Sequence, residues 1–378
     1  MSEPPVPGPA TDPTRRPEGD PRPQAEGIPV RRAATASRVP EWVPRAFGGL
    51  ILLTVALLML AREADRPPEA LVARWALPPS DFVEVAGLAV HVRDEGPRGD
   101  PTPIVLLHGT SASLHTWDGW AAELSKTRRV VRLDLPGFGL TGPFTGGAGS
   151  AFPSIDAGGD HDTATLARFV LAFADRLGLP PFVLGGNSLG GEVAWRAAAA
   201  APGRVAALVL VDAGGLAARR EGLPLGWRLA AMPVLGGLLE WTLPRGMVAE
   251  GLAKAYADPS RVTPELIDRY FELTLREGNR RALRHGLQRL VARGPGDASG
   301  LERITAPTLL LWGAKDGLIP LASGQEMARR IAGSRLVVFP TLGHVPHEED
   351  PAATLPPVQA FLAERTGPLP APAPAGSR

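Results

Sequence analysis

The chain has 378 residues with 40 basic and 39 acidic side chains, a net charge of +1, so no basic excess points to a nucleic-acid partner. Hydrophobic residues at 44% and charged residues at 21% suit a globular core. Cysteine is absent, which excludes disulfides, thiolate zinc sites, iron–sulfur clusters and a cysteine nucleophile.

In chain order, residues 1–45 form a leader that holds eleven of the 41 prolines and few apolar side chains, and it is expected to be disordered. An uncharged run, Ala46 to Ala61, follows between Arg45 and Arg62. Residues 46–64 are therefore read as a single membrane anchor helix. The run alone reaches about 24 Å, and about 30 Å once Trp42 and Val43 join it with Arg45 snorkelling. A cleaved signal peptide would need an unusually long leader, and Ala61-Arg62-Glu63-Ala64 lacks the small-x-small spacing of a cleavage site. A helix packed on the core is the other reading. Arg31, Arg32, Arg38 and Arg45 precede the run and Arg62, Arg66 and Arg74 follow it, which leans towards a catalytic part on the extracytoplasmic side.

From Asp81 the pattern alternates between strands and helices. Phe82–Ala86 and Ala89–Arg93 flank Gly87 like a hairpin. Ile104–Leu107, Val130–Leu133, Phe182–Leu184, Val205–Val211, Thr308–Trp312 and Leu336–Phe339 are short apolar runs, the pattern of strands buried on both faces. Helical spacing separates them, at Trp117, Trp120, Ala121 and Leu124 and again at Leu166, Phe169, Val170, Phe173 and Leu177. The fold class that follows is α/β, a doubly wound, mostly parallel sheet with helices on both faces. Residues 142–159 read as a long Gly-rich loop. About 90 residues separate Val211 from Thr308, too many for one crossover. They carry helical patterns at Trp227–Leu243, Met247–Tyr256, Glu265–Arg276 and Arg280–Ala292. The organisation expected is a core of 81–213 and 305–366, an inserted helical cap of 214–304, and a disordered Pro/Ala tail of 367–378.

Gly186-Asn187-Ser188-Leu189-Gly190 is a G-x-S-x-G pentapeptide between an apolar strand and an Ala-rich helix. A sharp turn there strains the serine backbone and needs small neighbours, and it places the Leu189 amide at a helix N-terminus. A serine hydroxyl needs a base, and His344, just past the last strand, is the candidate. Asp316, beyond Thr308–Trp312, is the carboxylate to orient it, with Asp212 as a rival acid and His347 as a rival base. The Thr110 amide in Leu107-His108-Gly109-Thr110 is the second oxyanion donor. His108 reads as structural, Ser111 and Ser113 as loop-capping hydroxyls. His91, His115, His161 and His285 show no metal-ligand spacing, so no metal and no cofactor is expected.

His108-Gly109-Thr110, Asp134-Leu135-Pro136-Gly137-Phe138-Gly139, Gly186–Gly191, Leu309–Asp316 and Gly343-His344 together resemble the α/β-hydrolase superfamily. They are most similar to its capped serine esterase, haloperoxidase-like and carbon–carbon-bond hydrolase branch, over residues 81–366. The resemblance implies Ser188 as nucleophile, Asp316 as acid, His344 as base and the Thr110 and Leu189 amides as oxyanion hole. Serine at 188 speaks against the relatives that carry aspartate there, haloalkane dehalogenases and epoxide hydrolases. The expected activity is hydrolysis of a hydrophobic carboxylic ester through an acyl-enzyme, with a small-molecule acyl substrate as partner. Carbon–carbon bond hydrolysis, perhydrolysis and acyl transfer use the same triad, and a catalytically silent membrane-bound scaffold is the non-enzymatic alternative.

Overall fold

The computed structural model describes residues 40, 42–60, 62–146, 151–152, 154, 162–216, 223–292 and 298–366. The expected disorder of the leader up to residue 39 and of the tail 367–378 lies outside them, as does most of the expected loop beyond Gly146. Two units are distinguished, residues 1–54 and 55–378.

The uncharged run forms α1, Trp42–Leu60, and takes in Arg45. Trp42, Phe47, Leu50 and Leu52 on it are exposed. Nineteen residues reach only about 28 Å. No helix among the described residues is long and apolar enough to cross a membrane. The spanning anchor expected here is therefore not among the described helices.

The second unit is built on one sheet of eight strands in the order β1-β2-β4-β3-β5-β6-β7-β8. These are β1 Ser80–Val85, β2 Leu88–Glu95, β3 Ile104–Leu107, β4 Val130–Leu133, β5 Phe182–Asn187, β6 Val205–Val211, β7 Thr308–Gly313 and β8 Arg335–Phe339. The first two are antiparallel to each other, β2 is antiparallel to β4, and every other pairing is parallel. All residues of β3, β4, β5 and β7 are buried, as continuous apolar runs require when helices cover both faces. On one face lie α4 (Thr163–Arg176), α5 (Leu189–Ala200) and α11 (Leu321–Arg330), packed through Phe169, Phe173, Val193 and Met327. On the other lie α3 (Asp118–Leu124) and α13 (Pro351–Thr366), packed through Trp120, Leu124, Val358 and Phe361.

Because β3 connects on to β4 on one side and its neighbour β5 connects on to β6 on the other, the chain leaves these two adjacent strands in opposite directions at their carboxyl ends. Such a switch point opens a crevice where loops diverge. The loops after β3 and β5 carry Thr110 and Ser188.

Among the described residues, five α-helices lie between β6 and β7: α6 Leu225–Ala230, α7 Pro233–Thr242, α8 Arg245–Ala255, α9 Pro264–Thr274 and α10 Asn279–Ala292. The single helix expected over Trp227–Leu243 is two. Pro233 has no N–H to continue α6 and instead sits in the first turn of α7, where none is needed. A further helix not read from the sequence, α2 (Pro68–Trp75), precedes the sheet, and a short α12 (Pro346–Glu349) follows His344.

Asp134, after β4, knits the sheet's edge to its loops. Fully buried, it accepts from the amides of Leu114 (2.7 Å) and Leu140 (2.8 Å) and meets His91 Nδ1 at 2.7 Å. His91 Nε2 lies 2.9 Å from Ser80 Oγ, which also accepts from Arg93 Nε at 3.0 Å. Burial alone would raise the Asp134 pKa, but the charge and hydrogen bond of His91 hold it below the usual carboxylate range.

Candidate active site

Ser188 occupies the turn between β5 and α5 with φ +54° and ψ −116°, a conformation a side chain normally avoids. What permits it is the space around the turn. A Cβ on Gly186 would stand 2.2 Å from the Gly190 carbonyl oxygen, and one on Gly190 would stand 2.4 Å from that of Leu107. The strained backbone is held by bonds to its neighbours. Ser188 N–H donates to the Val211 carbonyl (3.1 Å), and its own carbonyl accepts from Glu192 N–H (3.0 Å) and Gly214 N–H (2.8 Å). Strain over-determined in this way marks functional turns. The Leu189 amide opens α5 and has no acceptor within the helix.

The loop after β3 comes against this turn: a Cβ on Gly109 would be 3.1 Å from Ser188 Cβ. His108 fixes that loop. Its Nε2 accepts from Leu135 N–H (2.9 Å), so Nδ1 carries the proton and donates to the Gly109 carbonyl (2.8 Å). Burial lowers its pKa, so it is a neutral brace.

Beyond β7 the chain turns so that Asp316 Oδ1 accepts from Leu318 N–H (2.7 Å) and Ile319 N–H (2.9 Å), while Oδ2 faces His344 Nδ1 at 2.7 Å. Burial alone would push the Asp316 pKa up. The charge and hydrogen bond of His344 and the two amides outweigh it and hold this carboxyl below its usual range. The opposite holds for Asp212 at the end of β6. Its burial and then the negative charge of Asp316 raise its pKa far above the usual value. One Asp212 oxygen accepts from Gly313 N–H (2.9 Å), and the other has no hydrogen-bond partner among the described residues. The raised pKa favours the protonated form of Asp212, and of the two acids that spacing left open it is Asp316 whose Oδ2 lies 2.7 Å from His344 Nδ1. Donor atoms of Asp212, Asp316 and His344 lie within 4.8 Å of one another, the spacing a metal would need. Yet His344 Nδ1 and Asp316 Oδ2 already face each other at hydrogen-bond distance.

His347 stands elsewhere. It is fully buried, stacked 4.0 Å from the Trp117 ring, with Nε2 3.1 Å from Thr116 Oγ1. Burial pushes its pKa well below the ordinary value.

Two cavities meet at Thr110, Ser188 and His344. The first runs under α6 to α10 and is lined by Trp227, Leu243, Val248, Leu252 and Leu287. The second runs past Leu189, Phe138, Leu166 and Glu192. In the first, Arg284 is ion-paired with Glu240, and Arg280 with Asp65. Ser111 also lines it, at φ +62°, with its buried hydroxyl unpaired among the described residues.

Three positioning groups had no signal in the sequence. Asn187 Nδ2 donates to the carbonyls of His344 (3.0 Å) and Val211 (3.1 Å), tying the serine turn to the histidine loop. His344 N–H donates to the Ala255 carbonyl at 2.7 Å, binding that loop to the end of α8. Glu349 accepts from Gly343 (2.8 Å), Ala257 (3.2 Å) and Asp258 (3.0 Å) amides. Asn187 lies inside the pentapeptide and His344 in the Gly343-His344 motif, but neither motif reports these bonds, and Ala255 and Glu349 lie in no motif.

A family model described as alpha/beta hydrolase fold matches residues 102–351. The chain belongs to the α/β-hydrolase fold family. Among relatives of this α/β-hydrolase, a 2-hydroxy-6-oxononadienedioate/2-hydroxy-6-oxononatrienedioate hydrolase of a Pseudomonas species is 30% identical over 267 residues, 68% of this chain and 85% of that one. The dihydrolipoyllysine-residue acetyltransferase component of the acetoin cleaving system of Pseudomonas putida is 30% identical over 71% of this chain, which spans only 65% of that protein. A crystal structure of a membrane phospholipase A, described as a novel bacterial virulence factor, superposes with a TM-score of 0.62 at 27% identity, covering 85% of this chain and 98% of that one. The α/β-hydrolase is an enzyme of the hydrolase class, with a dienedioate/trienedioate hydrolase and a phospholipase A among its relatives.

Proposed function

We propose that this enzyme hydrolyses a carboxylic ester with an apolar acyl group through a covalent acyl-serine. The observation that carries the reading is the Asp316–His344 pair at 2.7 Å, with His344 lining the same cavity as the strained Ser188 turn. In this reading His344 takes the Ser188 proton as Oγ attacks the carbonyl carbon. The Thr110 and Leu189 amides hold the oxyanion, and the new imidazolium returns its proton to the leaving alkoxide. Water then attacks the acyl-serine by the same route. Asp316, ionised, steadies the imidazolium throughout. The helices α6 to α10 act as a cap whose inner side chains receive the acyl chain, and the Ser111 hydroxyl meets a substrate oxygen beside the oxyanion donors. The membrane phospholipase likeness and the exposed apolar α1 support work at or near a membrane.

The test is hydrolysis of p-nitrophenyl esters of increasing chain length by the full chain, beside fluorophosphonate labelling of Ser188. The reading expects turnover that rises with chain length and labelling lost in Ser188→Ala. Labelling that survives in Ser188→Ala would sink it.

A second reading has its own observation. Arg280 lines the cavity, and its Nη1 is buried with no hydrogen-bond partner among the described residues. That is a seat for a substrate carboxylate, as in cleavage of an acid-bearing diketone. Turnover of such a diketone with p-nitrophenyl esters left intact would favour it.

A further inference from the structure

An ordinary helix of a globular protein turns its apolar stripe inward. In the segment of α6 and α7 the arrangement is doubled. Exposed residues are Leu225 and Arg228 on α6, Met232 in the turn that follows, and Leu235, Leu238 and Trp241 at three-residue spacing on α7. Leu225 is exposed at 50% and Trp241 at 57%. Trp227, Ala230, Gly236 and Leu243 line the Ser188 cavity instead. One layer of helix thus separates the outer apolar face from the reacting serine. A groove beside the exposed residues is walled by Val55 and Met59 from the last turns of α1 and by Leu235, Leu238 and Trp241. Its position is fixed by Glu63 N–H donating to the Trp241 carbonyl (2.9 Å) and by Arg280 Nε donating to Asp65 (2.9 Å).

The charges on this face favour one kind of occupant. Arg62 lies 5.3 Å over the Trp241 ring, and Arg228 is exposed on α6 itself. Neither has a carboxylate partner among the described residues. Two nearby acids are taken up, Asp65 by Arg280 and Glu240 by Arg284, while Glu63 lines a cleft with Arg62, Arg280 and Arg281 without an ion pair among the described residues. Exposed leucines, a tryptophan and uncompensated arginines are the composition that sits at a lipid headgroup boundary. A second copy docking about a twofold axis would bring the same arginines against each other.

We propose that the outer face of α6 and α7 docks on an anionic lipid bilayer and passes apolar substrate through these helices to Ser188. This rests on the ester-hydrolase reading and adds where its substrate comes from.

The chain has no cysteine, so one introduced thiol reports one place. Full-length protein carrying Leu238→Cys, labelled with an environment-sensitive nitrobenzoxadiazole dye, is mixed with phosphatidylglycerol–phosphatidylcholine vesicles. The dye is expected to shift blue, brighten severalfold and be quenched by spin-labelled lipid, while the same dye at Glu364→Cys, on α13, does not respond. Replacing both arginines (Arg62→Gln with Arg228→Gln) should weaken binding to these vesicles about tenfold. If the dye at 238 stays in water while one at Leu52→Cys on α1 enters lipid, α1 alone binds the membrane and the proposal falls. A response that needs no vesicles and grows with protein concentration overturns it in favour of a second copy. Turnover of a soluble short-chain ester is read in parallel. Insertion without turnover defeats the ester reading only, and turnover without insertion defeats the docking only.

Discussion

Two trios of the same residue types sit in this molecule, Ser188 with His344 and Asp316, and Ser80 with His91 and Asp134. Both pair a histidine Nδ1 with an aspartate oxygen at 2.7 Å. In the second the serine hydroxyl even lies 2.9 Å from Nε2. The surroundings differ. Ser188 has a positive φ, faces two cavities and stands at a helix N-terminus. Ser80 begins a strand, accepts from Arg93, and neither of those cavities reaches it or His91. Asp134 spends its other oxygen contacts on two loop amides. Residue types and pairing distances therefore do not separate the two trios; the cavities at Ser188 and its place at a helix N-terminus do.

That contrast can be broken by substitution, beginning with the largest effect. Ser188→Ala should lower kcat of ester hydrolysis by about a millionfold with the fold intact by circular dichroism. Asp316→Asn should lower kcat by about ten thousandfold. If Asp212 restores most of that rate, its neutrality is wrong. Asp134→Asn should act on stability instead, costing about 3 kcal/mol or more by leaving His91 and two amides poorly paired, with kcat changed far less. Its sign with pH follows from the depressed pKa. The folded state holds this carboxylate ionised, so its contribution is full above the unfolded value near 4 and is lost as pH falls through the lower folded value. Wild type should thus lose Tm more steeply below about pH 4 than the variant.

Asp212→Asn sharpens the opposite case. Its raised pKa gives stability that is full below the unfolded value and lost as pH climbs towards the folded one. The Asn variant should gain Tm on wild type as pH is raised, read by thermal melts across neutral and alkaline buffers. The smallest effect belongs to Ser80→Ala, which should leave kcat within about threefold and fluorophosphonate uptake unchanged, since surface-proximal losses of one hydrogen bond cost about 1 kcal/mol. A large drop in turnover there would erase the distinction between the two trios.

Much of this was legible in the sequence where apolar side chains carried the signal. The ends of β3, β4 and β6 coincide with the apolar runs. β5 runs three residues further, through Gly185, Gly186 and Asn187, where backbone approach leaves no room for a side chain: a Cβ on Gly186 would stand 2.2 Å from the Gly190 carbonyl oxygen. No hydropathy pattern reports that. Helix α13 was hidden by Pro356 and Pro357 inside it, while Leu355, Val358, Phe361 and Leu362 bury against the sheet and offset the missing N–H groups. At the site, the serine, histidine and acid residues lay in motifs. Asn187, Glu349 and the neutral state of Asp212 depend on groups far away in the chain, which spacing cannot reveal.

The bond from His344 N–H to the Ala255 carbonyl has a mechanical consequence. The backbone of the base is tethered to α8, and Glu349 clamps the same junction from the other side. Helix α8 cannot swing outward without dragging the imidazole off its aspartate. Helix α6, which lines the same cavity, has no buried side chain to restrain it. Under the proposed function, motion at α6 would leave the His344–Asp316 pair undisturbed.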